Sequence, residues 1–218
     1  MPIEMPEMPA AVAAALTNGL PRFAVAASPP AERVAAALVA RPSVTRGGKT
    51  IARSVEAALA QGAAAGVGAP VVVMGLKELS EGKSPRKVSA GLWVQWLPAV
   101  ERGKRAMAEV DQRTGRLTAV LEGAEVKSLA RRVESLGSTR RPAANRQVLS
   151  VIRVPALHLN AIWLQGESDN GADDVVIPDD GPIAPLVPGQ RYSLAEFQKV
   201  VKGMAAERLA NTRGDMGG

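Results

Sequence analysis

Residues 105–122 read RAMAEVDQRTGRLTAVLE, and this stretch decides the fold class that we predict for the chain. Two short runs, apolar or alternating, flank the segment Asp-Gln-Arg-Thr-Gly at residues 111–115. Short runs of this kind, bounded by turn residues, are typical of strands. Gly115 supplies the positive φ that a short hairpin connection requires. The stretch therefore predicts two antiparallel strands, at residues 105–111 and 116–122.

Further strands are predicted on both sides of this hairpin. Residues 71–76 and 90–97 are short apolar runs bounded by turn residues, and the second run is apolar on both faces. A run apolar on both faces is typical of a covered, central strand. Residues 147–154 and 156–165 form another pair, divided by Pro155, which cannot donate a hydrogen bond to a ladder.

Helices are predicted where apolar residues recur every three or four positions. Such repeats begin near Lys49 and again over residues 126–136, and a helix over residues 29–40 would start at Ser28. The final helix opens with a capping box, Ser-Leu-Ala-Glu at residues 193–196. Helices before, within and after mostly antiparallel strands predict the α+β class, with the helices packed on the sheet.

The length of 218 residues suits one domain. We predict a single α+β domain over residues 29–210. Residues 1–28 form an N-terminal extension that is partly disordered, because its Pro-rich start lacks backbone donors. That start also has no positively charged region of the kind found in signal peptides. Residues 211–218 are rich in glycine and form a frayed tail.

Composition excludes several kinds of chemistry. The chain contains no Cys, and His158 is its single histidine. A disulfide framework, a Cys-based zinc site and a Cys nucleophile are therefore excluded, and we expect neither a metal nor a cofactor. Residues 47–50, Gly-Gly-Lys-Thr, resemble the end of a phosphate-binding loop, but Ser43 stands where that motif needs glycine. The absence of Cys agrees with a reducing cytoplasm, where we place the protein.

Charge is unevenly distributed along the sequence. Residues 1–160 carry 22 basic and 12 acidic side chains, and residues 83–146 alone carry 14 basic and 6 acidic ones. A basic surface attracts nucleic acid through its phosphates. Aromatic residues are only 3% of the chain, however, so the stacking rings of single-strand binders are missing. Nucleic-acid binding is an alternative rather than the expectation. The charge-free window 57–76 is mostly Ala and Gly, and we expect no membrane span.

One short motif suggests catalysis. Residues 163–168, Trp-Leu-Gln-Gly-Glu-Ser, resemble the Trp-x-Gln-Gly-Glu-Ser block of the carbohydrate-esterase relatives of the SGNH hydrolases. The resemblance implies that the Gln165-Gly166-Glu167-Ser168 turn helps to shape an oxyanion site. The family also has an early nucleophilic Ser and a late Asp-x-x-His, and this chain has neither. The esterase is the second alternative.

Two longer stretches resemble known proteins, but neither resemblance implies an activity. Residues 105–117 are similar to the strand–turn–strand of PepSY-like domains. Residues 152–197 resemble uncharacterised bacterial proteins of GC-rich genomes, which have a Trp-Leu pair at a strand end, a Pro-rich loop and a Tyr-Ser-x-x-Glu-Phe helix start. An excess of Arg over Lys, 19 to 8, agrees with a GC-rich source.

We therefore expect a bacterial, non-catalytic protein-binding or structural module, whose partner is another protein or a second copy of the chain. We expect the acidic residues 167–180 to form a solvated loop that docks on the basic stretch 83–146. The alternative is that its carboxylates hold Ca²⁺. Four prolines follow among Ile183, Leu186 and Val187, and prolines pre-order an extended loop. These three apolar residues are the predicted partner-binding site. The alternative is that they fold back over the sheet.

Overall fold

The computed structural model of the chain describes residues 3–27, 48–62, 66–99, 105–137, 146–179 and 184–214. These residues form five α-helices and nine strands, and most strand pairs are antiparallel, so the α+β class is confirmed. The elements in chain order are β1 (Ile3–Glu4), α1 (Ala10–Ala27), α2 (Gly48–Gln61), β2 (Gly68–Val73), α3 (Leu76–Ser80), β3 (Leu92–Trp96), β4 (Ala106–Asp111), β5 (Arg116–Glu122), α4 (Ala124–Gly137), β6 (Gln147–Val154), β7 (Leu159–Gln165), β8 (Val175–Pro178), β9 (Tyr192–Ser193) and α5 (Leu194–Gly214).

The chain divides into two compact units, and each is discontinuous in sequence. The β3–β5 unit contains Met5–Pro70 and Gly91–Glu134. The β6–β9 unit contains Met1–Glu4, Val71–Ala90 and Ser135–Gly218. Because the chain enters and leaves each unit more than once, neither unit corresponds to a single segment of the sequence.

The predicted hairpin is the centre of the β3–β5 unit. Strand β4 pairs antiparallel with both β3 and β5. In the turn, Oδ1 of Asp111 accepts hydrogen bonds from the backbone N–H groups of Arg113 at 2.8 Å and Thr114 at 2.9 Å. Gly115 has φ +61°, a backbone conformation that side chains with a Cβ rarely adopt. The turn residues therefore play the part predicted from the sequence.

Helix α1 lies in the stretch predicted to be a partly disordered N-terminal extension. Val12, Leu16 and Leu20 are fully buried and belong to the core of the β3–β5 unit, together with residues of α2, β3, β4 and β5. The four-residue spacing of these three side chains is typical of a helix. The residues between them are mostly alanines, which are also apolar, so the spacing is hard to recognise in the sequence. Before the helix, β1 pairs parallel with β6 at Ile3 and Glu4.

In the β6–β9 unit, β6 and β7 form a regular antiparallel pair from Val148↔Gln165 to Val154↔Leu159. Strands β8 and β9 continue the antiparallel order beyond β7. The residues of β2 in this unit pair parallel with β6. A core of buried side chains lies between one face of these strands and the helices α3 and α5, with Trp163 and Phe197 its largest members.

The remaining helix predictions have three outcomes. Helices α2, α4 and α5 are present where predicted, and the α5 capping box is formed. The helix predicted over residues 29–40 lies outside the described residues, as do residues 215–218 of the predicted tail. Helix α3 and strands β8 and β9 were not predicted. Among the described residues, no helix is both long and apolar enough to span a membrane.

Candidate functional site

A buried carboxylate holds the loop of residues 166–174, which leads from β7 to β8. Asp174 is only 1% exposed. Its Oδ2 accepts hydrogen bonds from the Trp163 indole N–H and from Nε of Arg86, both at 2.9 Å. Its Oδ1 accepts from Nη2 of Arg86 at 2.5 Å and from the Gly166 N–H at 2.9 Å. A carboxylate offers about four lone-pair positions, so Asp174 is fully bonded and serves the architecture of the loop.

The neighbouring carboxylate, Asp173, binds the start of the same loop. It accepts hydrogen bonds from the backbone N–H of Glu167 at 3.0 Å and of Ser168 at 3.2 Å. A hydrogen bond from the Ser168 side chain, with these backbone bonds, lowers the pKa of Asp173 below its ordinary value. At Gly166, a Cβ atom would lie 2.6 Å from Oδ1 of Asp173 and closer still to its Cγ and Oδ2. The glycine of the motif is therefore explained by the approach of Asp173.

Arg86 connects this loop to a distant segment of the same unit. It lies in the short 3₁₀ turn Pro85–Lys87, and its Nη2 also donates to the Gly166 carbonyl at 3.0 Å. The hydrogen bond with Asp174 is the main reason why the pKa of Arg86 is raised. The guanidinium thus forms a two-pronged pair with the carboxylate, the geometry in which such pairs are strongest. One predicted contact between the basic stretch and the acidic segment is therefore present.

The structure places His158 far from the residues that resemble an esterase motif. Ser168 contacts Asp173 through its backbone N–H, which donates to Oδ1 at 3.2 Å. His158 lies at the other end of β7, in the turn before Leu159, whereas Ser168 follows Gln165. Seven strand residues at about 3.3 Å each place the two side chains roughly 20 Å apart. A histidine at that distance cannot take a proton from the serine.

The acidic residues of the segment 167–179 lie within the described part of the chain. Among the described residues, no three acidic or histidine side chains are grouped so that they could hold a metal ion. Asp173 and Asp174 instead accept hydrogen bonds from N–H groups. Asp180 lies outside the described residues.

Several cations of the basic stretch 83–146 are paired with acids. Besides Arg86, Nζ of Lys83 lies 2.8 Å from Oε1 of Glu78, and Arg105 pairs with Glu134. Four further cations lie outside the described residues, namely Arg102, Lys104, Arg140 and Arg141. The pairing reduces the charge that these side chains offer to a phosphate backbone.

The structure describes two of the three apolar residues of the predicted partner-binding site, and their exposures differ. Leu186 is 3% exposed and belongs to the core of the β6–β9 unit. Its position agrees with the alternative prediction, in which these apolar residues fold back over the sheet. Val187 is 52% exposed, more than any other large apolar side chain that the structure describes. Ile183 lies outside the described residues. Of the two predicted contact residues that the structure describes, Val187 is the one at the surface.

Residues 184–190, which we call the contact loop, are held by backbone hydrogen bonds. The N–H of Val187 donates to Oη of Tyr192 at 2.9 Å, and the N–H of Gln190 donates to the Val187 carbonyl at 3.2 Å. The N–H of Gly189 donates to the Pro178 carbonyl at 2.9 Å. The loop is therefore ordered around Val187 without any partner.

Sequence reasoning missed the roles of Arg86, Asp174 and Tyr192. Arg86 and Asp174 are 88 residues apart, and no local pattern links them. Tyr192 carried a weak signal, because it is the single tyrosine of the chain and follows a Pro-rich loop. Such a position suits a ring that is half-buried while its hydroxyl finds a polar partner.

The chain matches no protein-family model, no curated protein and no solved structure.

Proposed function

We propose that the chain is a non-catalytic binding module that contacts another protein, or a second copy of itself, through Val187 on the contact loop. The observation that carries the proposal is the contrast between adjacent residues: Leu186 is buried, whereas Val187 is 52% exposed. An apolar side chain on an already ordered loop loses little conformational entropy when a partner covers it. The contact loop therefore has the properties of a small, pre-ordered interaction surface.

The carboxylates of the β7–β8 loop support the non-catalytic part of the proposal. General acid–base catalysis requires a group that can exchange a proton with a substrate within hydrogen-bond reach. Asp174 is buried with both oxygens bonded, and Asp173 is bonded to Glu167 and Ser168. We accordingly assign residues 165–168 to loop structure, and we expect no hydrolysis of an aryl acetate. Hydrolysis that disappears in Ser168→Ala would contradict this assignment.

The test of the contact loop is Val187→Ser. Because Val187 is exposed, the substitution should leave the melting temperature within about 1 °C of that of the wild type. Binding should weaken by about fivefold or more, the effect of removing an interface side chain worth about 1 kcal/mol. Sedimentation velocity over a concentration series measures self-association, and quantitative capture on the immobilised chain measures binding of other proteins.

Two matched variants accompany this experiment. Met5→Ser removes another exposed apolar side chain, 36% exposed and outside the contact loop, and should leave binding unchanged. Leu186→Ser should lower stability by about 2–4 kcal/mol, because it removes a buried apolar side chain from the core. If Val187→Ser and Met5→Ser bind equally well in both assays, the proposed function is wrong.

We further propose that the protein acts in the cytoplasm of a bacterium. The absence of Cys and the excess of Arg over Lys support this placement. Fractionation of the native host, followed by detection of the chain with an antibody, tests it. Recovery in a membrane or extracellular fraction would contradict it.

A further inference from the structure

We infer that Tyr192 is the positioning residue of the contact loop, and that its hydroxyl sets the conformation in which Val187 is presented. The inference rests on the proposed function, because it concerns the same surface. The evidence is the hydrogen bond from the Val187 N–H to Oη of Tyr192, at 2.9 Å.

Tyr192 is itself fixed by the elements around it. Its backbone belongs to β9 and pairs with Val176 of β8. Its ring is partly buried and packs against the core that contains Leu186 and Phe197. The next residue, Ser193, is held by Glu196 through the capping box, with the Ser193 N–H donating at 2.9 Å. A ring held by its strand and by the core places its hydroxyl oxygen at a defined point.

The hydrogen bond that the Val187 N–H donates to the tyrosine hydroxyl acts directly on Val187. The Val187 carbonyl accepts from the Gln190 N–H, and the Val187 N–H donates to Tyr192. Both backbone polar groups of this residue are therefore satisfied within the protein, and only the apolar side chain is offered to the surroundings. A partner that covers Val187 leaves no backbone group of that residue without a hydrogen bond.

The other restraints on the contact loop do not replace this bond. The core contact of Leu186 fixes the residue before Val187, and the bond from Gly189 to Pro178 fixes the loop two residues later. Neither of them acts on the Val187 N–H. Without the tyrosine hydroxyl, the peptide between Leu186 and Val187 loses the hydrogen bond that fixes its N–H, and the direction of the Val187 side chain is less closely defined.

The test is Tyr192→Phe, which removes the hydroxyl and keeps the ring. Hydrogen exchange of the Val187 amide, followed by NMR, is the readout, and the indole N–H of Trp163 is the control for the fold. Val187 should exchange about fivefold faster in the variant, the effect of losing one hydrogen bond worth about 1 kcal/mol, while Trp163 is unchanged. An unchanged Val187 rate in a folded variant would overturn the inference.

The wild-type protein supplies a second measurement that does not depend on the variant folding. The Val187 amide should exchange well below the rate of an unstructured peptide of the same sequence. Exchange at the unprotected rate would also overturn the inference. Neither exchange measurement involves a partner. The two measurements therefore test the role of Tyr192 even if Val187→Ser leaves binding unchanged and the proposed function is wrong.

The binding assays used for Val187→Ser, applied to Tyr192→Phe, then test whether the position of the Val187 side chain affects binding. We expect binding to weaken by about twofold to fivefold, less than for Val187→Ser, because the side chain remains while its position is lost. Faster exchange at Val187 with unchanged binding would overturn the part of the inference that concerns recognition.

Discussion

Asp173 and Asp174 are adjacent in the sequence but stabilise different parts of one loop. Asp174 is buried and bonded to Trp163, Arg86 and Gly166, whereas Asp173 bonds the backbone of Glu167 and Ser168 near the surface. A buried charge that loses its partners is costly, because it cannot be rehydrated. Among the residues that resemble an esterase motif, the indole of Trp163 and the missing Cβ of Gly166 are therefore explained by this carboxylate pair.

Gly166 gives the first prediction, at the scale of a single residue. Gly166→Ala should destabilise the protein by about 1–3 kcal/mol, because the new methyl group would overlap the Asp173 carboxylate. The matched control is Gly203→Ala in α5, where a Cβ atom would meet no neighbouring side chain within 4 Å. That change should stabilise the helix by up to about 1 kcal/mol. Urea denaturation measures both, and equal effects of the two substitutions would contradict the prediction.

At the scale of an element, α5 begins with a complete capping box. The Ser193 N–H and Oγ–H donate to Oε2 of Glu196 at 2.9 and 2.8 Å, and the Glu196 N–H donates to the Ser193 Oγ at 3.2 Å. The bonds from the Ser193 backbone and side chain lower the pKa of Glu196. The box thus joins the first turn of the helix to β9, next to Tyr192.

The lowered pKa of Glu196 predicts a dependence of stability on pH. A carboxyl whose pKa is lower in the folded state stabilises the fold above its unfolded pKa, about 4.3 for Glu. That contribution is lost as the pH falls through the folded value. Glu196→Gln keeps an acceptor for Ser193 but cannot titrate, so its unfolding free energy should fall less steeply than that of the wild type below about pH 4.

Urea denaturation between pH 2 and 6 measures this slope. Glu207→Gln, which removes an exposed carboxylate near the other end of α5, is the control for the loss of one charge. If Glu196→Gln and Glu207→Gln change the slope equally, the capping box is not the cause.

At the scale of the whole molecule, chain connectivity determines how the protein should unfold. Each compact unit is built from separate segments, and β2 and α4 each contain residues of both units. Unfolding of one unit therefore releases the ends of segments that belong to the other. We expect one cooperative transition, as the single-domain prediction for residues 29–210 requires.

Calorimetry and limited proteolysis test this prediction. The calorimetric and van't Hoff enthalpies should agree, as they do for a two-state transition. Two resolved transitions would contradict the prediction. So would a stable nick near residue 140 that yields two folded fragments.

The sequence by itself determined the local elements whose signals are complete within a few residues. The hairpin around Asp111 and Gly115, the strands β6 and β7 and the capping box of α5 are of this kind, because alternation, turn chemistry and capping act between near neighbours. Residues 165–168 show the limit of such reasoning. Their motif resembled a catalytic turn, and its glycine is explained only by the approach of Asp173.

Tertiary structure alone decided which side chains meet across long separations and which of two neighbours is buried. The burial of Leu186 beside the exposed Val187 depends on the core below the loop, and the bond between Arg86 and Asp174 depends on segments 88 residues apart. Helix α1 likewise becomes recognisable through the core that Val12, Leu16 and Leu20 enter. Burial and long-range pairing are properties of the assembled packing, so no window of the sequence contains them.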